Sequence, residues 1–316
     1  MTNRPMTVIA MGVHVLDVLV RPVEEIPEGQ GGQLVEQIKM TAAGSAGGTA
    51  LTLAKLGATV RSAGAIGADP IGDLLVTLLE RGGVDASLLV RREGEQTSSS
   101  VLPIRPDGSR PAFHVIGANG TYGPDDVPWD AIASASHLHL GGPEFMGGEA
   151  AARILSFARE HGVVTSADFL APGEPGLLEW IAPALPHLDH VLPNDEQVLG
   201  FTGTTTLAEG CRALIGLGAG CVAATAGADG ALVVDGTSET VVPAFAVEVV
   251  DTTGCGDAFS AGFLRGLSLG RTPAEAAELG CAAAALVAGG LGSDHGDFDL
   301  DAALDLTRNE VVEATS

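Results

Sequence analysis

The sequence predicts an α/β fold: a mostly parallel sheet with helices on both faces, plus a small second sheet. Three observations predict it. Short β-branched apolar runs alternate with helical stretches along most of the chain. The helical stretches end on glycine, as at Gly57, Gly82 and Gly162. Two regions, near residues 14–41 and 96–118, break that alternation and read as strands of a separate sheet.

The elements follow in order. Val8–Val13 is apolar and β-branched and reads as a buried first strand. Leu34, Glu36, Ile38 and Met40 alternate with Val35, Gln37, Lys39 and Thr41, a period of two that suggests a strand with one covered face. Ala50–Leu56 and Pro70–Arg81 are helical. Ser98–Arg105 and Ala112–Ile116 are strands around the turn Pro106-Asp107-Gly108. Glu149–His161 is a helix that leads to the strand Val163–Ala167, and Leu188–Leu192 is a short strand. Leu207–Leu217 is a helix that leads to the strand Cys221–Ala226. Ala231–Asp235 and Thr240–Val247 form an antiparallel pair around Gly236. Ala258–Leu269 and Pro273–Ala288 are long helices rich in Ala and Gly. No fixed-period repeat and no flexible linker divides the chain, so residues 1–316 read as one domain carrying two insertions.

Composition narrows the function. Lys and Arg number 16 against 40 Asp and Glu, a formal net charge of −24. That balance disfavours nucleic acid and anionic membranes as partners and is read as serving solubility. Cys211, Cys221, Cys255 and Cys281 form no C-x-x-C pair, which argues against structural zinc and for a reducing, cytoplasmic compartment. The first apolar run is too short to span a membrane and has no signal-peptide cleavage pattern. There is no G-x-x-x-x-G-K-[ST], and Gly44–Gly48 is not G-x-G-x-x-G.

The segment Asp251-Thr252-Thr253-Gly254-Cys255-Gly256-Asp257 carries the chemistry. A strand-like run, Val247–Val250, leads in and a helix leads out. The G-C-G turn therefore sits at a helix N-terminus, where free N–H groups and the helix dipole favour an anion. Gly254 and Gly256 let a phosphate approach the main chain. Asp257, in the first turn, is placed to accept a proton from an attacking hydroxyl. The same residues also fit a plain capped helix start with a tight turn.

Asp251–Asp257, followed by Ala258-Phe259-Ser260-Ala261-Gly262-Phe263, resembles the C-terminal signature of the ribokinase, or PfkB-type carbohydrate kinase, family. Cys255 stands where Ala or Gly is usual. Gly12–Asp17 resembles the opening strand whose Asp binds substrate hydroxyls. Ala43–Ala50 with Leu56-Gly57 resembles the glycine-rich N-terminal signature, and Gly64–Asp69 with Gly72 the G-x-x-G-x-D-x-x-G segment. Thr225–Ala231 resembles the strand and turn that line the nucleotide. The similarity spans roughly residues 8–300.

The resemblance implies a ribokinase-like, doubly wound α/β body whose small sheet is a lid. It implies transfer of the ATP γ-phosphoryl group to a primary alcohol of a sugar, with Asp257 as base. Gly254, Cys255 and Gly256 would stabilise the transferring charge. Asp17, Gly44, Gly48 and Asp168 would meet the substrate; Asn194, Thr225, Gly227, Gly230 and Thr253 the nucleotide. Mg²⁺ would be organised through water near Asn194 and Gln197. A monovalent cation, K⁺, would sit at Asp251 and Thr253.

Departures from the family pattern sharpen the reading. Gly48 replaces a substrate-contacting Asn. Gln197 replaces the Glu of N-x-x-E, and Glu196, one position early, would point about 100° away on a helix. Asp168-Phe169-Leu170-Ala171-Pro172 keeps only the Asp of D-x-N-x-R. These keep two alternatives open: a nucleoside kinase of the same family, and a catalytically impaired sugar or nucleotide binder used as a regulator. His114, His137 and His139 read as structural histidines, and Asp294-His295-Gly296-Asp297 as a loop. Cys255 could carry a lowered pKa at the helix start. The open edge of the lid invites pairing with a second copy of the chain.

Overall fold

The computed structural model describes residues 6–106 and 109–313, with side chains through Arg308. The strands in chain order are β1 (Thr7–Gly12), β2 (Val15–Arg21), β3 (Gln37–Ala43), β4 (Thr59–Gly67), β5 (Asp85–Arg92), β6 (Ser99–Pro103), β7 (Phe113–Val115), β8 (His137–Gly141), β9 (Val164–Asp168), β10 (His190–Val191), β11 (Cys221–Thr225), β12 (Ala231–Asp235) and β13 (Glu239–Val242). The helices are α1 (Ser45–Lys55), α2 (Pro70–Arg81), α3 (Trp129–Ser134), α4 (Gly148–Glu160), α5 (Pro175–Ile181), α6 (Asp195–Thr202), α7 (Leu207–Gly216), α8 (Cys255–Ser268), α9 (Pro273–Ala288) and α10 (Leu300–Glu313).

The large sheet runs β13-β12-β11-β10-β9-β8-β1-β4-β5. Strands β11 through β5 in that order are parallel, and β12 and β13 extend the edge antiparallel. The chain winds from β1 outward through β4 to β5, then returns to β8 on the other side of β1. The winding therefore reverses between β1 and β8, and the crevice at that switch point is where open α/β sheets bind ligands.

Both faces of the sheet are buried, and single strands show it by alternation. Val8 and Ala10 of β1 pack with Leu53, Phe259, Phe263 and Leu279, on the side of α1, α8 and α9. Ile9 and Met11 face the other way, into Leu138, Leu155, Ile181 and Leu214, the side of α4, α5 and α7. A period of two with no polar face is what a doubly covered parallel sheet demands.

The small sheet runs β3-β2-β6-β7, with β2 and β6 parallel and the outer pairs antiparallel. Its root is tied to the body at Asp69, whose carboxylate accepts from Gly72 N at 2.8 Å, Thr97 N at 2.9 Å and Thr97 Oγ1 at 2.6 Å.

Several expected boundaries are corrected. The strand expected from Leu34 begins at Gln37, and Ile38 and Met40 are exposed rather than covered. The helix expected from Ala50 begins at Ser45, where Gly48 N already bonds Gly44 O at 2.7 Å. The strand expected to reach Val247 ends at Val242. Val247–Val250 is not a strand; Val250 N bonds instead to Ala288 O at the end of α9 (2.9 Å). Asp107 and Gly108 of the expected turn lie outside the described residues.

Candidate active site

The C-terminal ends of β1, β8 and β9 meet at the switch point as Gly12, Gly141 and Asp168, side by side in register. A Cβ on Gly12 would overlap the Gly141 carbonyl, and one on Gly141 would overlap the backbone at Ser45–Ala46. Glycine there lets the N-terminus of α1 seat directly on the sheet. Gly44 begins that helix at φ 84°, with Gly47 against the buried His14 ring.

The N-terminus of α8 arrives beside α1. Gly254 precedes it at φ 80°, a left-handed conformation that suits glycine, and a Cβ there would overlap Ser293. Asp251 shapes the loop: Oδ1 accepts from Thr253 N at 3.0 Å and Thr253 Oγ1 at 2.8 Å, and Oδ2 from Gly292 N at 2.9 Å. Among the described residues no backbone partner meets the N–H groups of Gly256 and Asp257, and Gly256 faces open space. The loop thus forms an anion cradle at the head of a helix of 14 residues.

Asp257 lies between the two helix starts. A Cβ on Gly48 would overlap its carboxylate, so the absent side chain at 48 is the space Asp257 occupies. Burial, then Asp168 and Asp17, raise the Asp257 carboxyl well above the usual range. Asp168 is itself raised by burial, opposed by His139, whose Nε2 lies 3.5 Å from Oδ2. His139 Nδ1 pairs with Ser166 Oγ at 2.9 Å.

The lid's inner face supplies the opposite wall. Asp17, Ser100 and His114 stand in one cross-strand row of β2, β6 and β7. Ser100 Oγ is 3.0 Å from His114 Nδ1 and also hydrogen bonds Asp17. Burial pushes the Asp17 carboxyl up to about 6, against the Ser100 bond and the Arg110 guanidinium. His114 and His139, read from sequence as structural, are thus drawn into the site.

At the other end of the crevice, Asn194 and Thr225 form an isolated bridge beyond β10 and β11, with Gly227 in open space beside them. Gly230 instead packs against the Val242–Ala244 backbone, and its positive φ of 89° serves the β11–β12 turn. Gln197, expected to meet Mg²⁺ through water, has both side-chain polar atoms in hydrogen bonds within the chain. Its Oε1 accepts from Asn194 N (2.9 Å) and its Nε2 donates to the Phe169 and Ala171 carbonyls (2.9 and 3.0 Å). A Glu could not make the last two bonds, so Gln197 ties α6 to the loop after β9.

Cys255 does not carry a lowered pKa. Burial outweighs the helix dipole, with Asp251 adding to it, and pushes the thiol up to about 12. The Asp294–Asp297 segment is a loop held by Lys55, whose Nζ donates to the carbonyls of Asp294, His295 and Gly296. Among the described residues no three His, Cys, Asp or Glu side chains form a metal cluster.

Sequence reading did not single out Gly141 and Arg110, took Gly12 only as the start of the opening strand motif, and read His139 as structural. Glycines closing two apolar strands were a usable signal for Gly12 and Gly141. Nothing local marks Arg110, which reaches the site only because the lid folds over it.

Comparison with known proteins gives the family and the fold. The pfkB family carbohydrate kinase model matches residues 10–297. An ATP-dependent ribose-1-phosphate kinase of Halopiger xanaduensis is 32% identical over 250 residues, 78% of this chain and 80% of the relative. A nucleoside kinase of Methanothermobacter thermautotrophicus is 27% identical over 264 residues, 81% of each chain. The Arabidopsis thaliana ribokinase complexed with ribose and ATP superposes with a TM-score of 0.82 at 23% identity, covering 96% of this chain and 99% of that one.

Proposed function

The chain belongs to the pfkB family of carbohydrate kinases, which phosphorylate a sugar hydroxyl with ATP, and from that premise we propose how its residues divide the work. One observation carries the assignment: Asp257 stands at the mouth of the α8 cradle, between α1 and the lid aspartate. Asp257 takes the proton of a primary alcohol. The alkoxide oxygen forms the new bond to the γ-phosphorus as the bond to ADP breaks. The free N–H groups of Gly256 and Asp257, presented by the Gly254-Cys255-Gly256 turn, hold the equatorial oxygens in transit; the Cys255 N–H is already donated to Thr252 O at 3.3 Å. Asp17 accepts from other substrate hydroxyls, with Asp168, Gly44 and Gly48 completing the acceptor wall. Asn194, Thr225, Gly227 and Thr253 line the nucleotide, and Gly230 shapes the turn beside it.

Mg²⁺ enters held chiefly by the triphosphate, since the chain offers Asn194 and exposed acids near it rather than a carboxylate cage. The ion would neutralise charge on the phosphates. The carboxylate of Asp251 is committed to its loop, so K⁺ would rest on the main-chain carbonyls of Asp251 and Thr253. Those accept no hydrogen bond among the described residues, although both residues are buried.

The lid's outer face exposes Ile38, Met40, Val101 and Phe113, which is an apolar surface suited to a second copy of this chain. No helix among the described residues is long and apolar enough to cross a membrane, and the four cysteines are free. We read the protein as cytoplasmic, a single kinase domain over 1–316 with lid insertions near 14–41 and 96–118.

The nucleoside reading keeps two sequence departures of its own: Gly48 in place of Asn, and the missing Asn and Arg after Asp168. The regulator reading loses its motive, because Gln197 is structural. A coupled ADP-release assay with ATP and Mg²⁺ tests these together, against sugars, sugar phosphates and nucleosides. Turnover with a sugar or sugar phosphate supports the proposal. Turnover with nucleosides alone moves the substrate to the second reading, and binding without turnover favours the regulator.

A further inference from the structure

The chain has two lysines, Lys39 and Lys55, and both end on one loop, residues 291–296 after α9. Lys55, the last residue of α1, donates from Nζ to three carbonyls in a row: Asp294 O at 2.8 Å, His295 O at 2.9 Å and Gly296 O at 2.6 Å. An ammonium has three N–H donors, so this one is fully used. The Phe298 ring covers it, with Nζ 4.8 Å from the ring centroid. Lys39 Nζ holds the near half of the same loop, donating to Leu291 O at 2.7 Å and pairing with Asp294 Oδ1 at 2.6 Å. Three successive carbonyls that converge on one point repel one another unless a cation sits among them. A lysine that only fastened a loop would have no route to the chemistry, but this loop has one.

The loop is the back wall of the anion cradle. Gly292 N donates to Asp251 Oδ2 at 2.9 Å, on the carboxylate whose other oxygen fixes Thr253. Ser293 stands against Gly254, where an added Cβ would come within 2.4 Å of the Ser293 Cβ. Ser293 Oγ donates to Ala42 O at 2.9 Å, near the end of β3. A shift of the loop therefore shifts Asp251 and Gly254, and with them the head of α8. Lys55 joins that loop to α1, the helix whose Gly48 meets Asp257 near its other end. We propose that Lys55 is a positioning residue for phosphoryl transfer: its ammonium is a tethered cation in a carbonyl cage, and by fixing residues 294–296 it keeps the head of α8 in register with α1. This deepens the kinase reading and rests on it. The cage is separate from the carbonyls of Asp251 and Thr253, so K⁺ is held constant in the test.

The first arm is kinetic, on the full-length protein with the best acceptor found. Lys55→Ala lowers kcat about tenfold with the acceptor KM nearly unchanged, the cost of a cradle displaced by a fraction of an ångström. Methylammonium, which is the head group and last carbon of the lost side chain, recovers most of that rate. Tetramethylammonium carries the same charge but no N–H donor, and recovers none. Lys55→Met fills the path of the stem without a charge, loses rate and is not rescued. Lys55→Arg keeps the charge and serves where Lys55→Ala does not fold; its planar fork cannot present three donors from one nitrogen, so kcat falls there too. The second arm needs no acceptor. Methylammonium raises the melting temperature of Lys55→Ala, as a ligand of the folded state does, while tetramethylammonium does not, and the wild type responds to neither. Wild-type kcat in Lys55→Ala, or in Lys55→Arg where that is the variant that folds, overturns the proposal and leaves the cage a structural fastening. Equal losses in Lys55→Ala and Lys55→Met with no response to methylammonium overturn it in favour of packing by the stem. Equal rescue by both ions overturns it in favour of general salt screening. A wild-type protein that phosphorylates no acceptor, with the melting response as expected, overturns the kinase reading and the positioning role with it.

Discussion

The nine-stranded sheet is covered on both faces, whereas the four-stranded sheet is covered on one and exposes apolar side chains on the other. Leu138, at the centre of the first, is wholly buried; Val101, at the centre of the second, is 44% exposed. The large sheet holds the fold together and brings glycines and Asp168 to one edge. The small sheet stabilises little, yet it brings Asp17, Ser100, His114 and Arg110 to that same edge. The chemistry lies where the two meet, and neither sheet holds a complete site.

The difference can be tested where the expected effect is largest. Leu138→Ala should destabilise the fold by about 3 kcal/mol, through lost burial and a cavity that neighbouring strands cannot close. Val101→Ala should stay within about 0.5 kcal/mol. Denaturant melts of both variants check this, and a similar loss in each would mean that the lid is part of the core.

Asp17→Asn should lower kcat/KM about 10- to 100-fold, as expected for losing charged hydrogen bonds to a substrate. It should also raise stability at neutral pH. A carboxyl raised to about 6 from an unfolded value of 3.8 costs stability when ionised. That cost is fully present above pH 6, shrinks as pH falls from 6 to 3.8, and is gone below. The melting-point gain of Asp17→Asn should follow the same course. In the wild type, kcat/KM should fall as pH drops through about 6, where Asp17 takes up its proton.

Gly48→Ala sharpens the comparison further, because it touches only the contact between α1 and Asp257. The carboxylate must move to make room, and a displaced base should cost about tenfold in kcat. Unchanged kcat with an altered acceptor preference would assign Gly48 to specificity instead. The smallest expected effect is on the outer face of the lid. Met40→Glu should leave kcat nearly unchanged at saturating acceptor and shift sedimentation from dimer to monomer, since a charge is costly in an apolar interface. A wild-type monomer would remove the dimer from this account.

These contrasts also explain what could be read from the sequence. β1, α2, α7, β11, α8 and α9 were legible because each is an apolar or periodic run with clear flanks, such as Gly82 closing α2. β4 was not read as a strand, because Ser62, Gly64 and Gly67 give it weak β character. Those small residues are there for packing: a Cβ on Gly64 would press on Gly12 O and the His14 ring. β8 reads His-Leu-His-Leu-Gly, and its histidines hid a strand buried at every position. The seven residues from Asp251 to Asp257 also fit a plain capped helix start, and it was their resemblance to the family signature that made them legible as a cradle. Asp17, Gly48 and Asp168 come from three distant segments, so only the resemblance named them together with Asp257, and the overlap of position 48 with the Asp257 carboxylate needed the structure. The bonds that Gln197 donates to the Phe169 and Ala171 carbonyls were not legible, because those acceptors lie on the loop after β9.

The most direct test of the central claim is Asp257→Asn in the ADP-release assay, with ATP affinity measured on the same preparation. Loss of roughly 10³-fold in kcat, with ATP binding unchanged, is the result expected for removal of a general base. Turnover within tenfold of wild type would contradict the account, because the proton would then be leaving by another route.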